Sequence, residues 1–404
     1  MESEIICRLQ RLQEQVRRIV DSRDQGNRNL RGTDDASLMQ VSHWRGVPLQ
    51  WDESKRIPYV IELENSLWAQ VLGFDLGKYY TDPATYLEAQ LRMIIYKYEW
   101  RDHTSFSKTI PLWLGSPFEP SMFGVEVRSE PGQDPWIGKT PVVKEYGDIA
   151  RLAIPDFRKS GLMPAAHRLY EGIAELLDDD FRVIFPKWNR SPFAVALHTR
   201  GIDNILVDML SEPEFAQELI DFMVEARLHW ERERAAFLGQ DLTKCDIGND
   251  EVNCPLLSPR LYKECVLPGE KRISQCHGGI AYWHSCGNIT ELVSLIAQIP
   301  NLDMVSVSGW TDLRTAVMEF GRRGIAMEIC LHPVRDLQVG TAEHLQQKLL
   351  EIKNICTQNN VCPSVVVRAS GFQVFKSVAD TLGSVKRFLT VAEEVLGHRA
   401  PGWR

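Results

Sequence analysis

No apolar run in this sequence approaches the roughly 20 residues that a membrane-spanning helix needs, so no membrane association is expected. Long basic runs are missing too. Net charge is −8, from 54 acidic and 46 basic side chains, which argues against a nucleic-acid surface. The opening MESEIICRLQRLQEQ is charged throughout and has no apolar centre of the kind a secretory signal carries. The expected location is the cytoplasm, where sequons at Asn189 and Asn288 carry no meaning. Cysteine is nearly absent from the first half: Cys7 stands alone, and the other eight of nine fall between Cys245 and Cys362. In a reducing compartment they read as thiols, most of them small core residues, rather than a disulfide framework.

What is present suits a large globular chain. With 404 residues and a hydrophobic fraction of 44%, a sizeable core is expected in one large domain or two ordinary ones. Ile5, Leu9, Leu12, Val16 and Ile19 are spaced by four and three, which predicts an amphipathic helix over 1–22. Fewer than three heptads do not make a coiled coil, so this helix is expected against its own domain or a homodimer partner. A polar linker follows, and the two together make an N-terminal unit of residues 1–44.

From 45 to 404 short apolar runs alternate with helical patterns. TIPLWLG (109–115), FRVIFP (181–186), FAVALH (193–198), KCDIG, IAYWH, LDMVSVSG, IAMEICLH and SVVVRASG read as strands. TYLEAQLRMIIYKYEW, residues 214–238, TELVSLIAQI and AEHLQQKLLEIKNICTQ read as helices. Apolar strands alternating with helices imply a parallel sheet covered by helices. Eight candidate strands favour a (β/α)8 TIM barrel, with 45–150 as a cap or decoration. The six tryptophans in and immediately before that segment (Trp44, Trp51, Trp68, Trp100, Trp113, Trp136) suit a cap packed on the barrel, or a pocket for an aromatic ligand.

The chemistry centres on AYWHSCGNITELV. Side chains alternate across a strand, so His284 and Cys286 point to one side. Gly287 and Asn288 close the strand, and Thr290 is placed to cap the next helix. The pair then sits at a C-terminal strand end, where barrels place their active sites, and both atoms can reach one zinc ion at about 2.0–2.3 Å. The plainer reading is a buried Cys beside a backbone-bonded His. MEICLHP repeats the spacing with Cys330 and His332. Cys276 and His277, adjacent on an expected strand, face opposite ways and read as structural; Cys356 and Cys362 read as bystanders. Asp246, Asp250 and Glu251 lie on the neighbouring strand and loop. They are a solvated acidic loop, metal ligands, or acid/base groups. His198 ends another expected strand, either in the same mouth or hydrogen-bonded in a turn.

Asn249-Asp250-Glu251, Leu257-Ser258-Pro259-Arg260-Leu261-Tyr262, Val266-Leu267-Pro268 and His284-Ser285-Cys286-Gly287-Asn288 resemble the uroporphyrinogen decarboxylase superfamily. LAIPDFRKSG (152–161), Leu162-Met163-Pro164 and TRGIDNILVDMLSEPEF (199–215) fit as well, so the resemblance covers roughly 140–390. It is strongest to the zinc-dependent branch that includes methylcobamide:coenzyme M methyltransferases and anaerobic demethylases. The resemblance implies that His284 and Cys286 bind zinc with a further Cys on the last strand, and that the metal holds a substrate thiol as thiolate. VVVRASGFQ carries Ser370 where that Cys falls, which leaves Cys330, His332 or Glu251 to complete the site. The superfamily's decarboxylases use an N-terminal Arg-Gln-Ala-Gly-Arg type motif; HWRGVPLQWDESKRIPYVIEL lacks it, and Arg45 and Arg56 read as surface charges.

Three functions follow as expectations. The first is a zinc-dependent methyl- or alkyltransferase on a small-molecule, thiol, folate or corrinoid acceptor, with Asp250 orienting the substrate and any corrinoid carried by a partner protein. The second is a metal-independent decarboxylase or lyase whose pocket holds Arg200, Asp246, Asp250 and Arg368. The third is a non-catalytic binding protein, which the Ser370 departure keeps open.

Overall fold

The computed structural model describes residues 2–22, 56–358 and 364–397. Eight parallel strands form two sheets. We number them β1 (Tyr59–Leu63), β2 (Thr109–Pro111), β3 (Arg182–Ile184), β4 (Cys245–Gly248), β5 (Ile280–His284), β6 (Met304–Val307), β7 (Ala326–Cys330) and β8 (Val365–Phe372). Six of them pair in the order β1-β8-β7-β6-β5-β4, and β2 pairs with β3. A parallel bridge from Arg190 to Gly248 ties the chain beyond β3 to β4. His103 N donates to Tyr59 O, and Ile61 N to Asp102 Oδ2, so the chain before β2 flanks β1. The result is a curled parallel sheet of TIM-barrel type; among the described residues the two sheets are not joined into one continuous eight-stranded ladder.

Two sequence expectations need correction. FAVALH is not a strand: Pro192–Arg200 is a helix, capped by Ser191, whose side chain accepts from Ala194 N, with Pro192 in the first turn. Its apolar residues are buried on nearly every side, so they showed no helical stripe, while the Ser-Pro start was the signal that the run hid. Conversely, β1 lies inside the segment expected to be decoration. YVIEL is almost wholly buried, and its Glu62 sits in the strand because its carboxylate meets Arg368 of β8. The count of eight strands therefore survives with one member exchanged.

Glu2–Asp21 is helical, with Leu9, Gln13 and Val16 buried and Ile5, Leu12 and Ile19 packed on the same core. Gln13 Nε2 donates to Leu176 O, its Oε1 accepts from Asp178 N, and Arg17 pairs with Asp178 and Asp180. The helix therefore covers its own domain. Of the six tryptophans, Trp68 stacks on Trp100 with ring centres 5.5 Å apart, Trp136 is exposed on a short hairpin, and Trp113 reaches the pocket described below. Trp44, Trp51, Arg45 and Cys362 lie outside the described residues; Arg56 is exposed.

Candidate active site

Alternation decides which side chains enter the barrel. Tyr282 and His284 of β5, Ser306 of β6, Glu328 and Cys330 of β7, and Arg368 and Ser370 of β8 occupy every second position. Trp283, facing the other way, donates from Nε1 to Glu270 in the helix Leu267–His277. At the C-terminal strand ends these residues border a cavity of about 310 Å³ lined by His284, Cys286, Ser306, Cys330, Arg368 and Ser370, with Glu64, Trp113 and Trp310 at its rim. A smaller cavity of about 150 Å³ adjoins it at Trp113 and His284 and includes Asp250, Lys187 and Arg190.

Three ligand atoms converge there. Among the described residues, Asp250, His284 and Cys286 form a group whose ligand atoms all lie within 4.8 Å of one another. His284 Nε2 is 3.2 Å from Cys286 Sγ and 3.3 Å from Asp250 Oδ1. Ligands on one tetrahedral ion at zinc bond lengths stand about 3.4–3.7 Å apart, so the trio fits with little movement.

The protonation pattern also fits. Tyr282 Oη donates to Glu328 Oε2 and therefore accepts, at 3.0 Å, from His284 Nδ1. That bond keeps a proton on Nδ1 and turns the Nε2 lone pair toward the cluster. Nε2 faces Asp250 Oδ1 at 3.3 Å and Cys286 Sγ at 3.2 Å. Burial raises the Asp250 carboxyl, but His284 and the Arg190 charge outweigh it and hold it below the usual range. Burial pushes the Cys286 thiol well up, and the Asp250 charge adds to that. A cation at the cluster would offset both effects and favour the thiolate.

The loop after β5 is built for this convergence. Ser285 Oγ donates to Val252 O and accepts from Gly287 N. Gly287 packs so closely on Asn253 that a Cβ there would lie 2.3 Å from the Asn253 Cβ. Asn249 N donates to His284 O at 2.7 Å, which fixes Asp250 beside His284. Thr290 does not cap the turn that follows; its backbone N–H and hydroxyl donate to Asn288 Oδ1, and its Oγ1 accepts from Asp312 N.

The remaining sequence candidates scatter. Cys330 and Ser370 are walls of the same cavity, and Cys330 Sγ lies 3.7 Å from Ser306 Oγ. His332 is drawn away: its Nδ1 accepts from Val334 N and Arg335 N, and its ring packs on Trp310 with centres 4.2 Å apart. Glu251 Oε1 accepts from Arg190 Nη1 and contacts His198 Nε2, each at 2.9 Å. His198 therefore does reach the loop beside the mouth, from a helix rather than a strand. Arg200 does not reach it. Its Nε donates to Asp208 at 2.7 Å, its Nη1 to Val143 O and Lys144 O, and its guanidinium lies over Phe215. Asp246 is buried deep on β4 and borders neither cavity. Cys276 and His277 end a helix rather than a strand; Cys276 is exposed, and His277 Nδ1 bonds Thr243 O. Arg368 joins Glu62 and Glu328 at the cavity floor.

Sequence reasoning missed Tyr282, Glu328, Glu64 and Trp310. The first two carried a signal, since each stands two positions before a singled-out residue on the same strand face.

A curled parallel sheet with its polar cluster at the C-terminal strand ends defines an enzyme-type α/β fold. Residues 69–387 match the uroporphyrinogen decarboxylase (URO-D) family profile, and the chain belongs to that family. It is similar to the methylated-thiol–coenzyme M methyltransferase of Methanosarcina mazei, with 28% identity over 108 residues, 27% of this chain and 29% of the relative. That match spans under a third of the relative's length. A solved structure of a methyltransferase from Methanosarcina mazei superposes with a TM-score of 0.59 at 16% identity, covering 86% of this chain and 94% of that one. At that identity the likeness speaks for the fold. Among the described residues no helix is long and apolar enough to cross a membrane.

Proposed function

We propose that the chain is a zinc-dependent methyl- or alkyltransferase acting on a small-molecule acceptor, with Asp250, His284 and Cys286 as the metal ligands. The observation that carries this reading is the Asp250–His284–Cys286 convergence where the two cavities meet at His284, with the His284 proton fixed on Nδ1. Asp250 takes the third position that the sequence left among Cys330, His332 and Glu251. Zinc held there would keep an acceptor thiol deprotonated at neutral pH. The chain's own residues do the rest. Tyr282 and Glu328 orient the imidazole, Arg190 holds Glu251 beside the ligand loop, and Trp113 and Trp310 wall the space for the alkyl donor. A thiol is the favoured acceptor; a folate, or a corrinoid on a partner protein, is reached through the same open mouth. The same reading takes the two sheets as one eight-stranded barrel.

The lyase reading loses support because Arg200 and Asp246 stand outside the pocket and Arg368 is held by two carboxylates. The test is elemental analysis of the purified, reduced chain after zinc is supplied and excess removed. About one zinc per chain, followed by turnover of a methyl donor with a thiol acceptor, is the expected result. A chain that takes up no zinc sinks the proposal and returns the binding-protein reading.

A further inference from the structure

The larger cavity has an unbalanced charge. Among the described residues that line it, Arg368 is the one Lys or Arg, and it is clamped between Glu62 and Glu328. Two carboxylates thus face one guanidinium at the floor. At the rim stands a third carboxylate, Glu64, whose side chain has no hydrogen-bond partner among the described residues. Asp134 lies behind it, bound at Oδ1 by Tyr80 Oη, which in turn accepts from Asn65 Nδ2. Two indoles complete the rim. Trp113 packs near Tyr80, with ring centres 6.2 Å apart, and Trp310 is half-exposed over His332. With the cluster's own two anionic ligands neutralised by a divalent ion, this space stays net negative.

We infer that the cavity binds an onium methyl donor, a quaternary ammonium or tertiary sulfonium ion, and rejects donors with an anionic head. This rests on the alkyl-transfer reading and names its substrate class. The physical grounds are two. Carboxylates with little competing cation favour a positive ligand in a partly desolvated site. Indole faces bind methylated cations, which cannot be recruited by hydrogen bonds. Asp134 stands close enough to Glu64 for the two carboxylates to repel, and a cation at the rim offsets that repulsion and favours the charged form of Glu64. The chemistry balances. A thiolate forms an S–C bond to the methyl carbon, the C–N or C–S bond of the onium breaks, and its electron pair stays on the departing amine or thioether. The positive and negative charges cancel, and the neutral product has lost its hold on Glu64.

Three probes of one shape and different charge test this: tetramethylammonium, tert-butanol and pivalate, titrated calorimetrically into the full chain, once zinc-supplied and once chelated. Tetramethylammonium is expected to bind about tenfold more tightly than tert-butanol, with pivalate weakest. Glu64→Gln and Trp310→Leu should each weaken the cation about three- to tenfold and leave tert-butanol within about twofold. Both variants are checked for an unchanged thermal midpoint, and Trp310 is exposed enough for its loss to leave the fold intact. Pivalate or tert-butanol binding as tightly as the cation, no saturable binding of the cation, or cation binding indifferent to both variants overturns the inference. Cation selectivity in a chain that takes up no zinc would sink alkyl transfer and leave the cation site standing. A zinc-loaded chain without that selectivity would do the reverse.

Discussion

Tyr282 Oη stands 3.0 Å from His284 Nδ1 while giving its own proton to Glu328, two strands away. A phenol that must donate on one side can only accept on the other. The tautomer of a candidate metal ligand is therefore set by a carboxylate it never touches, and Arg368 in turn holds that carboxylate.

Replacing Tyr282 with Phe removes the acceptor and keeps the ring. Groups that orient a ligating His usually contribute ten- to hundredfold in metal affinity. Tyr282→Phe should weaken zinc binding by about that factor in competition with a chromophoric chelator, with little change in secondary structure. Affinity equal to the parent's would show that the tautomer is set by something else.

Cys286 and Cys330 are both thiols at the mouth, and the geometry separates them. Cys286 Sγ is 3.2 Å from His284 Nε2, whereas Cys330 lies by Ser306 and Glu328. Cys286→Ala and Asp250→Asn should each abolish stoichiometric zinc. Cys330→Ala should retain it at full occupancy. Loss of zinc from Cys330→Ala, with Asp250→Asn unaffected, would replace Asp250 by Cys330 in the ligand set.

Much of this was legible in the sequence because it obeys local periods. Seven of the eight strands fall within or overlap runs that alternate with helical patterns, and His284-x-Cys286 marked the candidate site by its place at a strand end. What was not legible depended on contacts across the barrel. YVIEL hides a strand because Glu62 is a buried charge whose partner, Arg368, is about 300 residues later. FAVALH imitates a strand because its helix is buried all round. His332 and Arg200 looked like site residues by position, and only tertiary structure shows the backbone amides and the Asp208 carboxylate that engage them.

Glu270 makes folding stability depend on pH. It accepts from Asn249, Tyr262 and Trp283 in a buried pocket behind β4 and β5, and burial raises its carboxyl from 4.5 to about 7. Raised in the folded state, the group binds its proton more tightly there than in the unfolded chain. Its stabilising contribution is complete below pH 4.5 and is lost as pH rises through 7. The swing is on the order of 3 kcal/mol. Glu270→Gln should flatten the urea-unfolding free energy between pH 5 and 7, while the parent loses stability over that window. Parallel slopes for the two proteins would place the titration elsewhere.

Arg200 separates a structural role from a substrate-binding one. Its guanidinium and the Asp208 carboxylate are 10% and 5% exposed, and the pair meets at 2.7 Å beneath the helix Ile202–Ser211. Removing one member leaves a buried charge alone, at a cost of about 3–5 kcal/mol; removing both in favour of apolar groups of similar size is often close to neutral. Arg200→Met should therefore lower the urea midpoint sharply, and adding Asp208→Leu should recover most of it. Neither change should alter the KM for a methyl donor in whatever fraction remains folded, because no Arg200 atom borders the cavity. A raised KM in the stable double variant would mean that Arg200 reaches the substrate after all. An unchanged KM with restored stability assigns the residue to the scaffold alone.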